Sequence, residues 1–99
     1  MSALLPAADK VLSIGELTRA IKGKLEESYA SVWVEGEVSN LSRPSSGHVY
    51  LTLKDDEASL KAVLYRGIAF RMKFDLRDGM RVIARGRLSV FVPRGEYQL

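Results

Sequence analysis

The stretch that decides the fold is EVSNLSRPSSGHVYLTLKDD, residues 37–56. On both sides of its centre, apolar and polar residues alternate, which is the pattern of a half-buried β-strand. The centre, from Ser42 to Gly47, holds an arginine, a proline, three serines and a glycine, and proline, serine and glycine are typical turn residues. The stretch therefore predicts two strands joined by a loop that combines a cation with small polar side chains.

The same alternation continues outward from this stretch and ends in a fifth strand that the sequence barely begins. The hexapeptide GIAFRM, residues 67–72, interrupts it and is long enough only for a helical turn or two. Pro93 to Glu96 provide a hairpin turn before the last strand. The predicted strands lie at about 31–39, 48–54, 58–65 and 81–92, with the truncated fifth strand at 97–99.

A helix is predicted before the first strand, over residues 13–28. Ser13 and Glu16 have the spacing of a capping box, in which each side chain binds the backbone amide of the other residue. Apolar residues recur at helical spacing from Leu17 to Leu25. We expect this stripe to cover the open end of the sheet, and we expect residues 1–10 to form a flexible leader.

Three strands, a short helix, a long fourth strand and a fifth strand follow one another in the order of a five-stranded OB barrel with Greek-key connections. Gly36 and Gly86 lie inside strands, where glycine often marks the bulge or bend that a small barrel needs. The predicted fold class is mainly β: an OB-fold barrel over residues 11–99, with a truncated fifth strand and a preceding α-helix. An open sandwich of similar strands is the alternative that the pattern leaves open.

The composition excludes several functions. The chain has 99 residues, no cysteine and one histidine, so disulfides and thiolate metal sites are excluded and a zinc site is not expected. No apolar run approaches the roughly 20 residues that span a membrane, and MSALLPAADK lacks the features of a signal peptide. We therefore expect a cytoplasmic protein with no membrane contact, no cofactor, no metal and no catalytic residue in this chain. Asp55 to Glu57 are expected to form a solvated turn.

Positive charge is concentrated in the second half of the chain. The net charge is only +3, yet residues 61–87 hold eight basic residues against two acidic ones. Such a concentration favours a polyanionic partner, and nucleic acid is the commonest one. A solvated basic face without a partner is the alternative.

In OB folds, oligonucleotides bind over strands two and three, between the loop that joins strands one and two and the loop that joins strands four and five. On this face serines can donate hydrogen bonds, cations can bind phosphate and tyrosines can stack on bases. Trp33 is instead expected to pack beneath the helix. The candidate nucleic-acid-binding residues are Arg43, Ser45, Ser46, His48, Tyr50, Lys54, Lys61, Tyr65, Arg66, Arg85, Arg87 and Arg94.

Two segments carry a resemblance to a known family. VWVEGEVSNLSRPSSGH, residues 32–48, and RGRLSVFVPRGEYQL, residues 85–99, are its most specific parts. Over roughly residues 12–99 the chain resembles the amino-terminal domain of the exodeoxyribonuclease VII large-subunit family. The resemblance implies an OB-fold domain that binds single-stranded DNA and precedes a catalytic domain and a helical region carrying small subunits, both outside this chain.

The resemblance also implies the activity of the assembled enzyme. Enzymes of this family hydrolyse DNA phosphodiester bonds, degrading single-stranded DNA from either end to oligonucleotides without a divalent-metal requirement. The expected partners are single-stranded DNA and, through regions outside this chain, the small subunits. An RNA-binding module of the tRNA anticodon-binding type and a subunit-assembly domain remain as alternatives. Because the fifth strand is short, we also expect this chain to form a homodimer by strand pairing or exchange.

Overall fold

The computed structural model describes residues 2–7 and 11–99. Residues 2–7 are exposed and form neither helix nor strand, whereas the rest of the predicted leader, residues 1 and 8–10, lies outside the described residues. Among the described residues, no helix is long and apolar enough to cross a membrane. The elements follow in the order α1 (Ile14–Ser28), β1 (Val32–Ser42), β2 (Val49–Lys54), β3 (Ser59–Leu64), α2 (Arg66–Phe70), β4 (Arg81–Gly86), β5 (Ser89–Phe91), a 3-10 turn (Val92–Arg94) and β6 (Glu96–Gln98).

Helix α1 begins with the predicted capping box. The Glu16 amide donates to Ser13 Oγ at 3.0 Å, and the Ser13 amide donates to Glu16 Oε1 at 3.4 Å. The helix packs against β5, where Ser89 Oγ donates to Glu26 Oε2 at 2.7 Å. Its apolar stripe is only half covered, because Leu17 and Ile21 remain 46% and 47% exposed. The expectation that this stripe covers the end of the barrel is therefore met only in part.

Strands β1, β2 and β3 form the predicted antiparallel meander. Alternation places one set of side chains inward, and these make the core: Val38, Leu51, Leu53 and Ala62 are buried together with Leu76 from the segment after α2. A cavity of about 770 Å³ lies within the barrel, lined largely by these and neighbouring apolar side chains. It is part of the barrel interior and is open where α1 leaves the end uncovered.

The structure corrects the prediction of one continuous fourth strand over residues 81–92. Strand β4 pairs with β1, whereas β5 pairs with β6, and Arg87 and Leu88 separate the two. Gly86 ends β4, and a Cβ at this position would lie 3.1 Å from the Leu99 side chain, so a larger residue would be crowded there. The Leu88 amide donates to the Tyr29 carbonyl at 3.0 Å instead of joining a strand ladder.

The described residues form one sheet in the order β4-β1-β2-β3-β6-β5. Its two outer strands, β4 and β5, are consecutive along the chain, so the sheet returns on itself as the predicted mainly β barrel. The short last strand is sufficient for this closure. Strand β6 runs parallel to β3, and Leu99 extends the pairing: its amide donates to the Lys61 carbonyl at 2.9 Å and its carbonyl accepts from the Val63 amide at 3.1 Å.

Candidate nucleic-acid interface

An open groove of about 620 Å³ lies over β2, β3 and β6, between the end of β1 and the 3-10 turn. We call this surface the groove. Its position is the one that OB folds use for oligonucleotides. It is lined by Asn40, Tyr50, Leu51, Thr52, Lys61, Ala62, Val63, Tyr65, Phe91, Arg94, Glu96 and Gln98.

Strand register brings the polar and aromatic side chains of the groove together. Tyr50 lies opposite Val63, and Thr52 lies opposite Lys61, in the β2–β3 ladder. Directly opposed side chains in a ladder have Cβ atoms about 5 Å apart, and Tyr65 follows two residues after Val63 on the same side of the chain. The alternation seen in the sequence therefore produces one continuous outward face.

The aromatic rings of the groove are held in place by His48. The His48 ring stands edge-on to both tyrosines, with its centroid 5.6 Å from that of Tyr65 and 6.5 Å from that of Tyr50. Its Nδ1 accepts a hydrogen bond from the Arg66 amide at 3.0 Å, which fixes the orientation of the ring. Both tyrosines remain exposed. They offer ring faces on which unstacked bases can pack, while His48 acts as their support.

The charges in the groove are not all available to a ligand. Lys61 Nζ lies 2.8 Å from Glu96 Oε2. The hydrogen bond and the positive charge of Lys61 lower the pKa of Glu96 below its ordinary value. Among the described residues, no carboxylate lies within 4.0 Å of the Arg94 guanidinium on the opposite wall. Arg94 is therefore the groove cation best able to bind phosphate, whereas Lys61 must first leave Glu96.

A β-bulge turns the end of β1 toward the groove. The register of β1 on β2 shifts between Ser39 and Ser42, and Asn40 adopts a positive φ of 51°, a conformation that asparagine tolerates better than most residues. The Leu41 amide then donates to Asp78 Oδ1 at 3.0 Å instead of to β2. The bulge thus presents the Asn40 amide side chain to the ligand face.

The loop between β1 and β2 is tied to the segment after α2. Arg43 Nη2 donates to the Leu76 carbonyl at 2.6 Å, and Nη1 lies 3.4 Å from Asp75 Oδ1. Ser45 and Ser46 form the exposed turn, and Ser46 Oγ accepts from the His48 amide at 3.4 Å. The cation that the sequence places at this joint therefore fastens the loop, and it lies outside the groove.

The predicted site residues fall into separate groups. Four of the twelve line the groove: Tyr50, Lys61, Tyr65 and Arg94. Three others, Arg43, His48 and Arg66, line a second cleft of about 460 Å³ on the other side of the β1–β2 loop. Lys54 lies at the far end of β2, where its Nζ is 3.4 Å from Glu37 Oε2.

Arg85 and Arg87 lie away from the groove. Strand β4 pairs with β1 on the side away from β2. The outer face of β4 is therefore separated from the groove over β2 and β3 by the width of β1. The Arg85 guanidinium lies over the Trp33 ring, 5.8 Å from its centroid. Arg87 Nη2 lies 3.9 Å from Glu26 Oε2 of α1.

The sequence reasoning misplaced Trp33 and did not name Phe91 or Glu96 among the groove residues. Trp33 is 68% exposed, so the expectation that it packs beneath α1 is wrong; its alternation with Glu35 and Glu37 already placed it on the outer face. Phe91 could have been placed on the outer face by the same alternation, because it follows Val90, which points inward and is buried. For Glu96 no sequence signal pointed to the groove, since its pairing with Lys61 depends on closure of the barrel.

In the acidic turn between β2 and β3, the Asp55 carboxylate accepts hydrogen bonds from backbone amides of the same turn. Asp55 Oδ1 accepts from the amides of Glu57 and Ala58, each at 2.9 Å. These two hydrogen bonds lower the pKa of Asp55. Among the described residues, no group of three histidine or acidic side chains is placed to hold a metal ion.

Comparison with known proteins gives a consistent family. The model of the OB-fold nucleic acid binding domain family matches residues 12–99. Similar proteins named exodeoxyribonuclease 7 large subunit include those of Geotalea daltonii, 53% identical over 97% of this chain, and Chlorobaculum tepidum, 56% identical over 88%. The protein of that name from Rhodopirellula baltica is 44% identical over 94% of this chain.

These similarities confirm the resemblance found in the sequence. The chain covers 22% of the length of the first two relatives and 21% of the third, so it spans about a fifth of the proteins that it matches. The matched family, the barrel and the groove over β2 and β3 agree with one another. This chain belongs to the family of OB-fold nucleic acid binding domains.

Proposed function

We propose that the groove binds single-stranded DNA, with little dependence on base sequence. The observation that carries this proposal is the grouping of Tyr50, Tyr65 and Phe91 around one open surface beside Arg94. Every base has a π-face, so exposed aromatic rings bind single strands with broad sequence tolerance. In a duplex these faces are stacked on neighbouring bases, so the same rings have little to bind.

The preference for DNA rests on the relatives. Proteins named exodeoxyribonuclease 7 large subunit share about half of their aligned residues with this chain. We infer that the chain is the DNA-binding part of such an enzyme, that hydrolysis of the phosphodiester bond occurs elsewhere in that protein, and that its small subunits bind elsewhere too. A cytoplasmic location is part of this proposal. The 99-residue chain is accordingly expected to leave labelled single-stranded DNA intact.

Fluorescence anisotropy with a labelled thymidine oligomer tests the proposal. The logarithm of the binding constant should fall linearly with the logarithm of the salt concentration. Each phosphate that is neutralised should contribute about 0.7 to the steepness of this slope. Arg94→Ala should reduce the slope by roughly one such contact. Tyr50→Ala with Tyr65→Ala should reduce affinity, with about 1–3 kcal/mol lost per stacked base, and leave the slope unchanged.

A double variant offers a matched control for the electrostatic part. Replacing Arg85 and Arg87 with alanine removes two cations that line neither the groove nor the second cleft, so it should change affinity less per charge than Arg94→Ala. Equal affinity for a duplex of the same length, or an unchanged affinity in the double tyrosine variant, would contradict the proposal. Tighter binding of a uridine oligomer would assign the groove to RNA instead.

A further inference from the structure

The segment that joins β3 to β4 exposes aromatic side chains that the groove does not use. Phe70, at the end of α2, is 89% exposed, and Phe74, four residues later, is 55% exposed. Both line the second cleft, the hollow of about 460 Å³ beside the β1–β2 loop. Exposed apolar surface grouped in this way marks an interaction site more often than scattered apolar residues do.

The charge of this segment indicates what kind of partner it fits. Residues 66–77 contain four cations and a single carboxylate, Asp75. That carboxylate is already shared by two arginines, since its oxygens lie 3.4 Å from Arg43 Nη1 and 3.4 Å from Arg77 Nε. Arg71 and Lys73 flank the phenylalanines along the chain and are exposed. Exposed rings interleaved with cations match the chemistry of a single nucleic-acid strand.

The second cleft is continuous with the groove. Tyr65 lines the groove and the next residue, Arg66, lines the second cleft. His48 also lines the second cleft and contacts the two groove tyrosines edge-on. The two hollows are therefore adjacent at His48, Tyr65 and Arg66, which we call the ridge. A ligand chain that leaves the groove at Tyr65 meets the second cleft next.

We propose that a DNA strand longer than the groove crosses this ridge and stacks further bases on Phe70 and Phe74. The inference rests on the proposed function of the groove and extends it: the second cleft is a separate subsite for the same strand. Arg66 lies at the crossing, where its side chain packs against Gly47; a Cβ on that glycine would come within 2.8 Å of Arg66 Cδ. Gly47 thus leaves the room that holds Arg66 at the ridge.

The length of the bound strand provides the test. OB folds occupy about 4 to 16 nucleotides, so thymidine oligomers of about 5 and about 15 nucleotides compare the groove alone with both subsites. A longer oligomer offers more registers in which the groove alone can bind it, which by itself raises the apparent affinity. The 99-residue chain should bind the longer oligomer more tightly than this effect accounts for. Phe70→Ala with Phe74→Ala should weaken binding of the longer oligomer by about tenfold or more and leave binding of the shorter one unchanged.

Two further variants separate stacking from other effects. Ile83→Ala removes an equally exposed apolar side chain from the outer face of β4 and should change neither affinity. Phe70→Trp with Phe74→Trp should keep the tighter binding of the longer oligomer. Arg71→Ala with Lys73→Ala should reduce the salt slope for the longer oligomer only.

The outcomes distinguish this inference from the proposed function. If the unaltered chain binds neither oligomer, both fail. If it binds both oligomers and the double phenylalanine variant binds the longer one as tightly as before, the groove stands and the second subsite is overturned; docking of another protein would then be the use of the exposed rings. Equal weakening for both lengths would also overturn the second subsite, because the rings would then act on the groove itself.

Discussion

At the scale of single residues, the groove combines groups that favour a polyanion with one that opposes it. Arg94 and the tyrosines suit a nucleic-acid strand, but the Glu96 carboxylate lies among them and holds Lys61 at 2.8 Å. A phosphate that binds Lys61 has to displace this carboxylate and lie beside its negative charge. If the groove binds DNA as proposed, we expect Glu96 to limit the affinity, and a substitution of this partly exposed carboxylate tests the effect.

Glu96→Gln should tighten the binding of single-stranded DNA a few-fold at low salt. The substitution keeps the side-chain shape, removes the negative charge and frees Lys61 for phosphate. Glu57→Gln is the matched control, since it makes the same change of net charge in the β2–β3 turn outside the groove. Affinities from anisotropy that rise equally in both variants would contradict a specific role for Glu96.

In the unaltered chain, protonation of Glu96 at low pH should have the same effect on DNA affinity as the Glu96→Gln substitution. Lys61 lowers the pKa of Glu96 below 4.5, so Glu96 stays ionised at neutral pH and takes up a proton only as the pH falls through that lowered value. Binding should therefore gain strength only in this acidic range, and the gain should be absent in Glu96→Gln. A gain at mildly acidic pH would have to come from another group.

Asp55 provides a pH-dependent contribution to stability. Its pKa is lowered by the two amide hydrogen bonds in the β2–β3 turn. The stabilisation by its charged form is complete above the ordinary value of 3.8 and is lost as the pH falls through the lower value in the folded state. Asp55→Ala should lower the Tm near neutral pH, with a smaller difference in strong acid. An equal loss of Tm at neutral pH and in strong acid would contradict this contribution.

At the scale of elements, the helices and strands that could be predicted were mostly those marked by patterns among residues close together in the sequence. The alternation of Val38, Leu51 and Leu53 identified the inner face, and Ser13 with Glu16 identified the start of α1, because these signals depend on neighbours in sequence. The division of the fourth strand could not be predicted, because it depends on which distant strands β4 and β5 pair with, β1 for the one and β6 for the other. The contact that Arg43 makes could not be predicted either, because its partner, the Leu76 carbonyl, is 33 residues away.

The stability of helix α1 depends more on the helix preference of its own residues than on burial against the sheet. No residue of this helix, which is described over its whole length, is buried. Its attachment consists of a half-covered stripe and a few polar contacts such as that of Glu26 with Ser89. Intrinsic helix preference should therefore control how firmly α1 is formed.

Gly23→Ala should stabilise α1 by about 0.5–1 kcal/mol, the usual difference between alanine and glycine inside a helix. Nothing lies within 4 Å of the position its Cβ would take. Helix content by circular dichroism and amide exchange of Leu25 would report the gain. Gly15→Ala should gain less, because its Cβ would lie 3.2 Å from an Arg19 guanidinium nitrogen. A loss of helix in Gly23→Ala would mean that the helix has a partner there.

At the scale of the whole molecule, barrel closure depends on a strand of three residues. Strand β6 pairs with β3 on one side and β5 on the other, so the open edge that motivated the prediction of a dimer is occupied. Edge pairing between two copies would have to use β4 or β5, the two outer strands of the sheet. Exchange of β6 between copies needs the turn between β5 and β6 to open, and it stays the form in which self-association is predicted.

The turn residue Gly95 allows this prediction to be tested. Gly95 has a φ of 62°, which residues other than glycine adopt at a cost. Gly95→Ala should therefore weaken the tight turn and shift the chain toward an exchanged dimer in light scattering over a concentration series. Gly67→Ala is a suitable control, since nothing lies within 4 Å of its Cβ position and its φ is not positive. A monomer for both variants at all concentrations would contradict exchange.

The parallel pairing of β6 with β3 also has a consequence for the order in which the molecule folds. The meander joins strands that are adjacent in sequence, whereas this pairing brings together Lys61 and Gln98, which are 37 positions apart in the chain, and contacts between distant residues form slowly. The groove spans this junction, so its two walls meet only when folding is complete. A strand of DNA bound across both walls would bind the folded chain and not the unfolded one, and would therefore stabilise the closed barrel by mass action.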